Sequence, residues 1–429
     1  MFQDSVDPAM LRHHGDVDAR PGMLDFAVNV RGTAPPAWLR DRLAARLDDL
    51  GRYPSAADEA AARAAVAARH GRRPDEVLLL AGAAEGFALL PRLTPRLAAV
   101  IHPSFTEPEL ALREAGIPVT RVVLEPPYTL DPALVPEDAD LVVLGNPTNP
   151  TSVLHPAAMI HALRRPGRIV VVDEAFADAV AGAGSSADSD SDHPALGAAV
   201  VHGSGIASLA DSRPLAQAVP DSFVGSGSQG GQGAVAGLGL QAGQDALAGA
   251  GSSGAPDTLA GRGVQGDPES LAALSAPDVL VLRSLTKTWA LAGLRCGYAL
   301  GAPEVLARLT HGRPHWPLGT LQLEAISATA EPSAVAAARE HAGDIAVERS
   351  AMIERLSALG IEVHTPAAGP FLLLRVTDGE LVRKRLADRG IAVRRADTFP
   401  GLGPDHLRVA VRAPGEVDRL IDGLRAALW

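Results

Sequence analysis

Short apolar runs bounded by turn residues recur along the chain: VLLLAG (77–82), LAAVIHP (97–103), VTRVVL (119–124), ADLVVLGNP (139–147), RIVVVDEA (168–175), DVLVLRS (278–284) and GYALG (297–301). Most are apolar at successive positions rather than at every second one, which predicts strands buried on both faces. Helix-like patterns separate several of them, for example Asp58 to His70 and Glu107 to Ala115. Strands of this kind alternating with helices predict an α/β fold with a mostly parallel sheet covered on both sides. Ligands of such sheets gather at the carboxyl ends of the strands, so the polar residues just after each run are the candidates for chemistry.

The pattern changes after about Ala302. Helical sequence leads to IEVHT, FLLLRV, a helix through LVRKRLADRG, then LRVAV and a final helix to Trp429. This predicts a smaller C-terminal α/β domain over 301–429, behind a large domain over 46–300. An arm over 1–45, with Pro and Gly around NVRGTAPPAW, is expected to pack with the small domain. Within the large domain, residues 181–265 are dense in Gly, Ser and Ala with little periodic hydrophobicity. Such a stretch cannot bury enough apolar surface to offset its chain entropy, so it reads as a long disordered insertion.

Composition narrows the class. The 429 residues are 47% hydrophobic and carry a net charge of −11 with scattered arginines, unlike the basic face of a nucleic-acid binder. No apolar run is long enough to cross a bilayer. The N-terminal MFQDSVDPAMLRHHGD lacks a basic-then-apolar secretion pattern, which points to the cytoplasm. The one cysteine, Cys296, excludes an internal disulfide and a zinc cluster, and no metal site is expected.

Of 39 basic residues only two are lysines, Lys287 and Lys384. Arginine keeps its proton in proteins, whereas a lysine amine can lose it and attack a carbonyl, the basis of Schiff-base chemistry. Lys384 fits a solvated helix position. Lys287, in SLTKTWALAGLRCG, lies just beyond the run DVLVL. Two other strand ends carry matching groups: NPTNPTS (146–152) after LVVLG, and DEAF (173–176) after RIVVV. An amine, a carboxylate and a side-chain amide converging on one sheet edge could hold an aldehyde, a pyridine nitrogen and a phenolate oxygen. Pyridoxal 5'-phosphate presents all three on one ring. Taken singly, Asp173 reads equally as a helix cap, Phe105 as core, and Asn146 and Asn149 as turn formers. Their joint occurrence with Lys287 favours a cofactor site.

With HHGD, DFAVNVRG, RYPS, the GAAEG loop, HPSFTEPE, NPTNPTS, VVDEAF, SLTKTWALAGLRCG and LRVAVR in this order, the chain resembles the fold-type I pyridoxal-phosphate enzymes of the class I/II aminotransferase group. The likeness is greatest to the histidinol-phosphate aminotransferase and cobalamin-pathway threonine-phosphate decarboxylase branches. The resemblance implies that Lys287 forms the Schiff base, Asp173 pairs with the ring nitrogen, Asn149 donates to the ring oxygen and Phe105 stacks on the ring. It assigns the phosphate to the backbone N–H groups of Ala83 and Ala84, to Ser284 and Thr286, and to Arg295. Tyr53 would reach the phosphate of a neighbouring subunit, which implies a homodimer. Arg408 would clamp the substrate carboxylate, and Arg31 and Arg412 are candidates for a substrate phosphate.

Two departures stand out. Phe176 occupies the place of a tyrosine whose hydroxyl also bonds the ring oxygen, and the loop at Gly82 to Glu85 lacks the family's Asn-Gly pair. The expected reaction is amino transfer, with decarboxylation of a phosphorylated amino acid as the alternative. Two other classes remain: a binding module that has lost catalysis, and a nicotinamide-dependent dehydrogenase, for which no strand is followed by the glycine fingerprint. If the insertion reading holds, excising residues 184–263 leaves a folded, cofactor-binding enzyme by circular dichroism and absorbance. Loss of folding on excision contradicts it.

Overall fold

The computed structural model describes residues 8–13, 15–182 and 267–428. The expected insertion at 181–265 therefore lies, apart from its first two residues, outside the described residues. After a short strand β1 (Leu24–Asp25), the chain builds a seven-stranded sheet from β2 (Val77–Leu80), β3 (Ala98–His102), β4 (Val119–Val123), β5 (Leu141–Gly145), β6 (Ile169–Asp173), β7 (Val279–Ser284) and β8 (Gly297–Leu300). These are the seven apolar runs picked out by the hydrophobic pattern. Their order across the sheet is β2-β8-β7-β6-β5-β3-β4.

Both faces of the sheet are buried, as successive apolar residues require. Leu79, Ile101, Val142, Val170 and Val281 enter one hydrophobic cluster, while Leu80, Val100, Val143, Val171 and Leu282 enter another on the opposite face. The helix Ala56–His70 begins two residues before its expected start, because the Ser55 hydroxyl accepts from the Asp58 N–H at 3.0 Å and caps it. It ends at Gly71, which adopts a left-handed φ of 63°. The helix Glu107–Glu114 matches its expected range to within a residue.

One strand is reversed. β8 runs antiparallel to both β7 and β2, while the β3–β4, β3–β5, β5–β6 and β6–β7 pairs are parallel. The loop from Leu285 to Cys296 returns the chain directly instead of crossing over. The amino end of β8 thus lies on the same edge as the carboxyl ends of its neighbours, with Gly297 paired to Ser284 and to Leu80.

The C-terminal region forms a second, four-stranded antiparallel sheet in the order β12-β13-β10-β9, from β9 (Glu362–Val363), β10 (Phe371–Arg375), β12 (Arg394–Arg395) and β13 (His406–Ala410). Its core includes Leu372, Leu374, Leu407, Val409, Leu420 and Phe26. β1 pairs in parallel with β11 (Ile391–Ala392), so the N-terminal segment is hydrogen-bonded to this part of the chain. The helix Pro332–Ser357, 26 residues long, connects the two regions in sequence. No helix among the described residues is long and apolar enough to cross a membrane.

Gly297 is placed where three backbones converge. A Cβ there would stand 2.6 Å from the Arg283 carbonyl oxygen and 3.0 Å from the Ala83 nitrogen. Since these are backbone atoms, relief requires the strands to separate. Gly297→Ala is expected to destabilise the protein by about 2 kcal/mol or more in urea unfolding. A change under roughly 0.5 kcal/mol contradicts this packing.

Candidate active site

The edge that carries the strand ends opens into a cavity of about 330 Å³. The peptide after β2 turns sharply at Gly82, whose φ of 80° suits glycine, and enters the helix Ala83–Leu89. A Cβ on Gly82 would lie 3.0 Å from a terminal nitrogen of Arg295, so the guanidinium occupies the space a side chain would take. Arg295 itself has a φ of 61°, two residues before β8. The reversal of that strand therefore delivers Arg295 to the turn at Gly82. Ser284 closes β7 and Thr286 follows it, with the Thr286 N–H reaching the Ser284 hydroxyl at 3.3 Å. Ala83, Ala84, Ser284, Thr286 and Arg295 all line the cavity.

Asp173 ends β6 and lies deep in the cavity wall, with Lys287 lining the same space. Burial pushes the Asp173 carboxyl up to about 7 and the charge of Glu174 adds to this, against the Ala175 N–H at 3.0 Å and the positive charge of Lys287. A carboxylate so placed is stabilised as an anion by a further cationic or hydrogen-bonding partner. On the opposite side of the β6–β7 pair, Glu174 accepts from the fully buried Arg283 at 2.8 Å, from the Ser270 hydroxyl at 2.6 Å and from the Leu271 N–H at 2.7 Å. Arg283 also binds Asp178 and, at 3.0 Å, Asp267. This ion network fixes the peptides that carry Asp173 and Ser284.

Asn149 accepts from Arg408 at 2.8 Å through its Oδ1, which leaves its Nδ2 as a donor. Phe105 lines the cavity and meets Phe87 at a ring distance of 5.8 Å. Phe176 also lines it and stands edge-on to Phe371 at 4.9 Å. The donors at the Gly82 turn suit a phosphate, Asp173 suits a basic ring nitrogen, and Lys287 suits a carbonyl. This set fits pyridoxal phosphate.

Arg408 is buried on β13, donates to the Ala27 carbonyl and lies over the Phe371 ring at 5.6 Å, while its buried Nε has no partner among the described residues. Directly across the strand pair stands Arg394, in register with Arg408 and 2% exposed. Sequence reasoning missed Arg394. It donates to the His13 carbonyl and to the Thr398 hydroxyl, each at 2.7 Å, and lines the same cavity. Burial lowers the proton affinity of Arg408 to about 9, and the positive charge of Arg394 adds to that, against Asp18 and Asp25. Burial likewise takes Arg394 to about 10. Both remain protonated at neutral pH. Asn29, with a buried Oδ1 unpartnered among the described residues, and Phe399 are further lining residues that sequence reasoning missed.

Three expected site residues lie elsewhere. Arg31 pairs with Glu348 at 2.6 Å, and Arg412 donates to the carbonyls of Val28 at 2.6 Å and Asp25 at 3.1 Å; both line a separate cavity. The two arginines thus line a different cavity from Asp173 and Lys287, although the Arg31 N–H reaches the Lys287 carbonyl at 3.4 Å; Arg412 follows the end of β13, and its guanidinium is bonded to the N-terminal segment. Tyr53 is 75% exposed and stacks on Trp316 at 4.3 Å, away from the cavity of its own chain. No group of three or more metal-ligating side chains occurs among the described residues.

Comparison with known proteins gives a consistent set of relatives. The family profile described as aminotransferase class I and II matches residues 21–207 and 254–424. A histidinol-phosphate aminotransferase of Mycobacterium tuberculosis is 48% identical over 409 residues, covering 95% of this chain and 89% of that one. Among solved structures, a histidinol-phosphate aminotransferase from Clostridium acetobutylicum superposes with a TM-score of 0.68 at 18% identity, over 94% of this chain and 98% of that one. The L-threonine-O-3-phosphate decarboxylase of Porphyromonas gingivalis superposes with a TM-score of 0.64, also at 18% identity and with the same coverage. At that identity the two structures speak for the fold alone.

Proposed function

The chain belongs to the class I and II aminotransferases, and from that premise we propose that its two buried arginines receive the phosphate of an amino substrate. The protein is a pyridoxal-phosphate-dependent aminotransferase acting on a phosphorylated amino compound, for which histidinol phosphate is the first candidate. When bound, the cofactor supplies an aldehyde that exchanges amines and a ring that withdraws electrons from bonds at the attached carbon. Everything else is the work of this chain's side chains.

Lys287 would hold the cofactor, release it to the substrate amine and then move a proton with its Nζ. Asp173, held by the Ala175 N–H, would keep the ring nitrogen protonated, and that positive charge in turn would hold the carboxylate ionised against its burial. Asn149 would offer its Nδ2 to the ring oxygen while Arg408 occupies its Oδ1. Phe105 and the apolar Phe176 would exclude water beside the ring. Homodimer formation, with the exposed Tyr53 reaching into the neighbouring subunit, and action in the cytoplasm belong to the same proposal.

The observation that carries the substrate reading is the Arg394–Arg408 pair. Like charges directly opposite on adjacent strands are unfavourable. Here they also share a cavity with Lys287 and Asp173, and the buried side chain of Asp18, 3.5 Å from Arg394, is a single carboxylate set against two guanidinium groups. A doubly charged phosphate relieves that repulsion better than a neutral group and suits two forked donors. A second reading follows from the same pair: the two guanidinium groups could divide between a carboxylate and a phosphate, as a phosphorylated amino acid would require. Holding the carboxylate out of the ring plane would then give decarboxylation.

Incubation with histidinol phosphate alone is expected to convert the cofactor to its amine form without gas release, and adding an oxo acid afterwards to return it to the aldehyde form. Carbon dioxide release from phosphothreonine, with no such conversion, would favour the second reading. Arg394→Ala is expected to lower kcat/KM for the phosphorylated substrate about 100-fold while leaving the dephosphorylated analogue unchanged. Equal losses for both would contradict a phosphate contact.

A further inference from the structure

Beside the turn at Gly82 lies a carboxylate that the mechanism above does not use. Glu85, in the first turn of the helix Ala83–Leu89, folds back so that its Oε2 accepts from the Ala81 N–H at 2.7 Å. Its charge is thereby fixed one residue before Gly82, whose missing side chain makes room for Arg295. A fixed negative charge there opposes any dianion bound by Ala83, Ala84 and Arg295. The opposition is met from outside the turn. Arg313, in the segment between the helices Pro303–Thr310 and Thr320–Thr329, grips Glu85 with two parallel hydrogen bonds, Nε to Oε1 at 2.8 Å and Nη2 to Oε2 at 2.8 Å. The same Nη2 donates to the Leu79 carbonyl near the end of β2 at 2.9 Å. The Arg313 side chain is 9% exposed and that of Glu85 22%, so solvent screens the pair weakly.

We propose that Arg313 is a positioning residue for the cofactor phosphate. It neutralises Glu85, so that the carboxylate can brace the turn through Ala81 without repelling the dianion that the turn binds. Arg313 touches neither cofactor nor substrate. It acts through Glu85, and its effect follows the charge of the ligand's phosphate. The inference rests on the pyridoxal-phosphate reading of the site.

The test compares pyridoxal phosphate with pyridoxal, which shares the ring and aldehyde but lacks the phosphate, by absorbance titration of the apoenzyme. Wild-type protein is expected to prefer the phosphorylated form strongly; absence of that preference sinks the cofactor reading itself. Given the preference, Arg313→Gln is expected to weaken pyridoxal phosphate by about tenfold, the scale of one poorly screened unit charge, with pyridoxal unchanged. Adding Glu85→Gln, which removes the stranded charge but keeps an acceptor for Ala81, is expected to restore affinity. Three results overturn the proposal: wild-type affinity in Arg313→Gln, equal losses for both ligands, or no recovery in the double variant. Should Arg313→Gln fail to fold by circular dichroism, Arg313→Lys and Glu85→Gln decide the matter. Both are expected to bind pyridoxal phosphate within about threefold of wild type. A tenfold loss in Glu85→Gln would show that the carboxylate itself is required, against the proposal.

Discussion

Burial drives the Asp173 carboxyl toward its neutral form, and much of the site is arranged around that fact. A carboxylate in a cavity wall poorly reached by solvent stays ionised when a positive group faces it. The arginine of the adjacent strand is kept from that role: Arg283, on β7, lies on the opposite side of the β6–β7 pair and is bound to Glu174, Asp178 and Asp267. On the cavity side the positive charge that bears on Asp173 is that of Lys287, and a basic nitrogen that enters can add to it. An arginine at Asp173 would satisfy it permanently. The separation of charges across the two strands keeps the carboxylate available to a ligand.

The sheet makes that separation possible. Alternation along β6 and β7 sends Asp173 and Ser284 to one side, and Arg283 to the other, where it meets Glu174. The reversal of β8 adds a contribution that an all-parallel sheet would not, because it brings Arg295 to the edge already occupied by the parallel strand ends. Gly82 and Gly297 allow the backbones and the guanidinium to approach closely. The C-terminal sheet provides the opposite wall through Arg394 and Arg408, with the latter joined to Asn149 by a direct hydrogen bond.

Much of this was legible in the sequence, because buried strands leave an unbroken apolar signature and their polar successors fall at one edge. The seven runs, Lys287, Asp173 and Asn149 were found that way, whereas the loop at Gly82 came from the family resemblance. Arg394 was missed since it belongs to a two-residue strand, and only the pairing register sets it opposite Arg408. Arg31 and Arg412 were chosen for their charge alone. Charge does not reveal which cavity a guanidinium lines, or that it is engaged by Glu348 or by backbone carbonyls, as these are. The link between Glu85 and Arg313 spans more than two hundred residues, with no local pattern to announce it.

The central claim is that Lys287, and no other amine, carries the cofactor. Borohydride reduction of the holoenzyme followed by peptide mass spectrometry measures this directly. The account predicts the mass of reduced pyridoxal phosphate on the peptide containing Lys287, with Lys384 unmodified. Label on Lys384, or an unlabelled Lys287 in a protein that retains its visible absorbance, would contradict it.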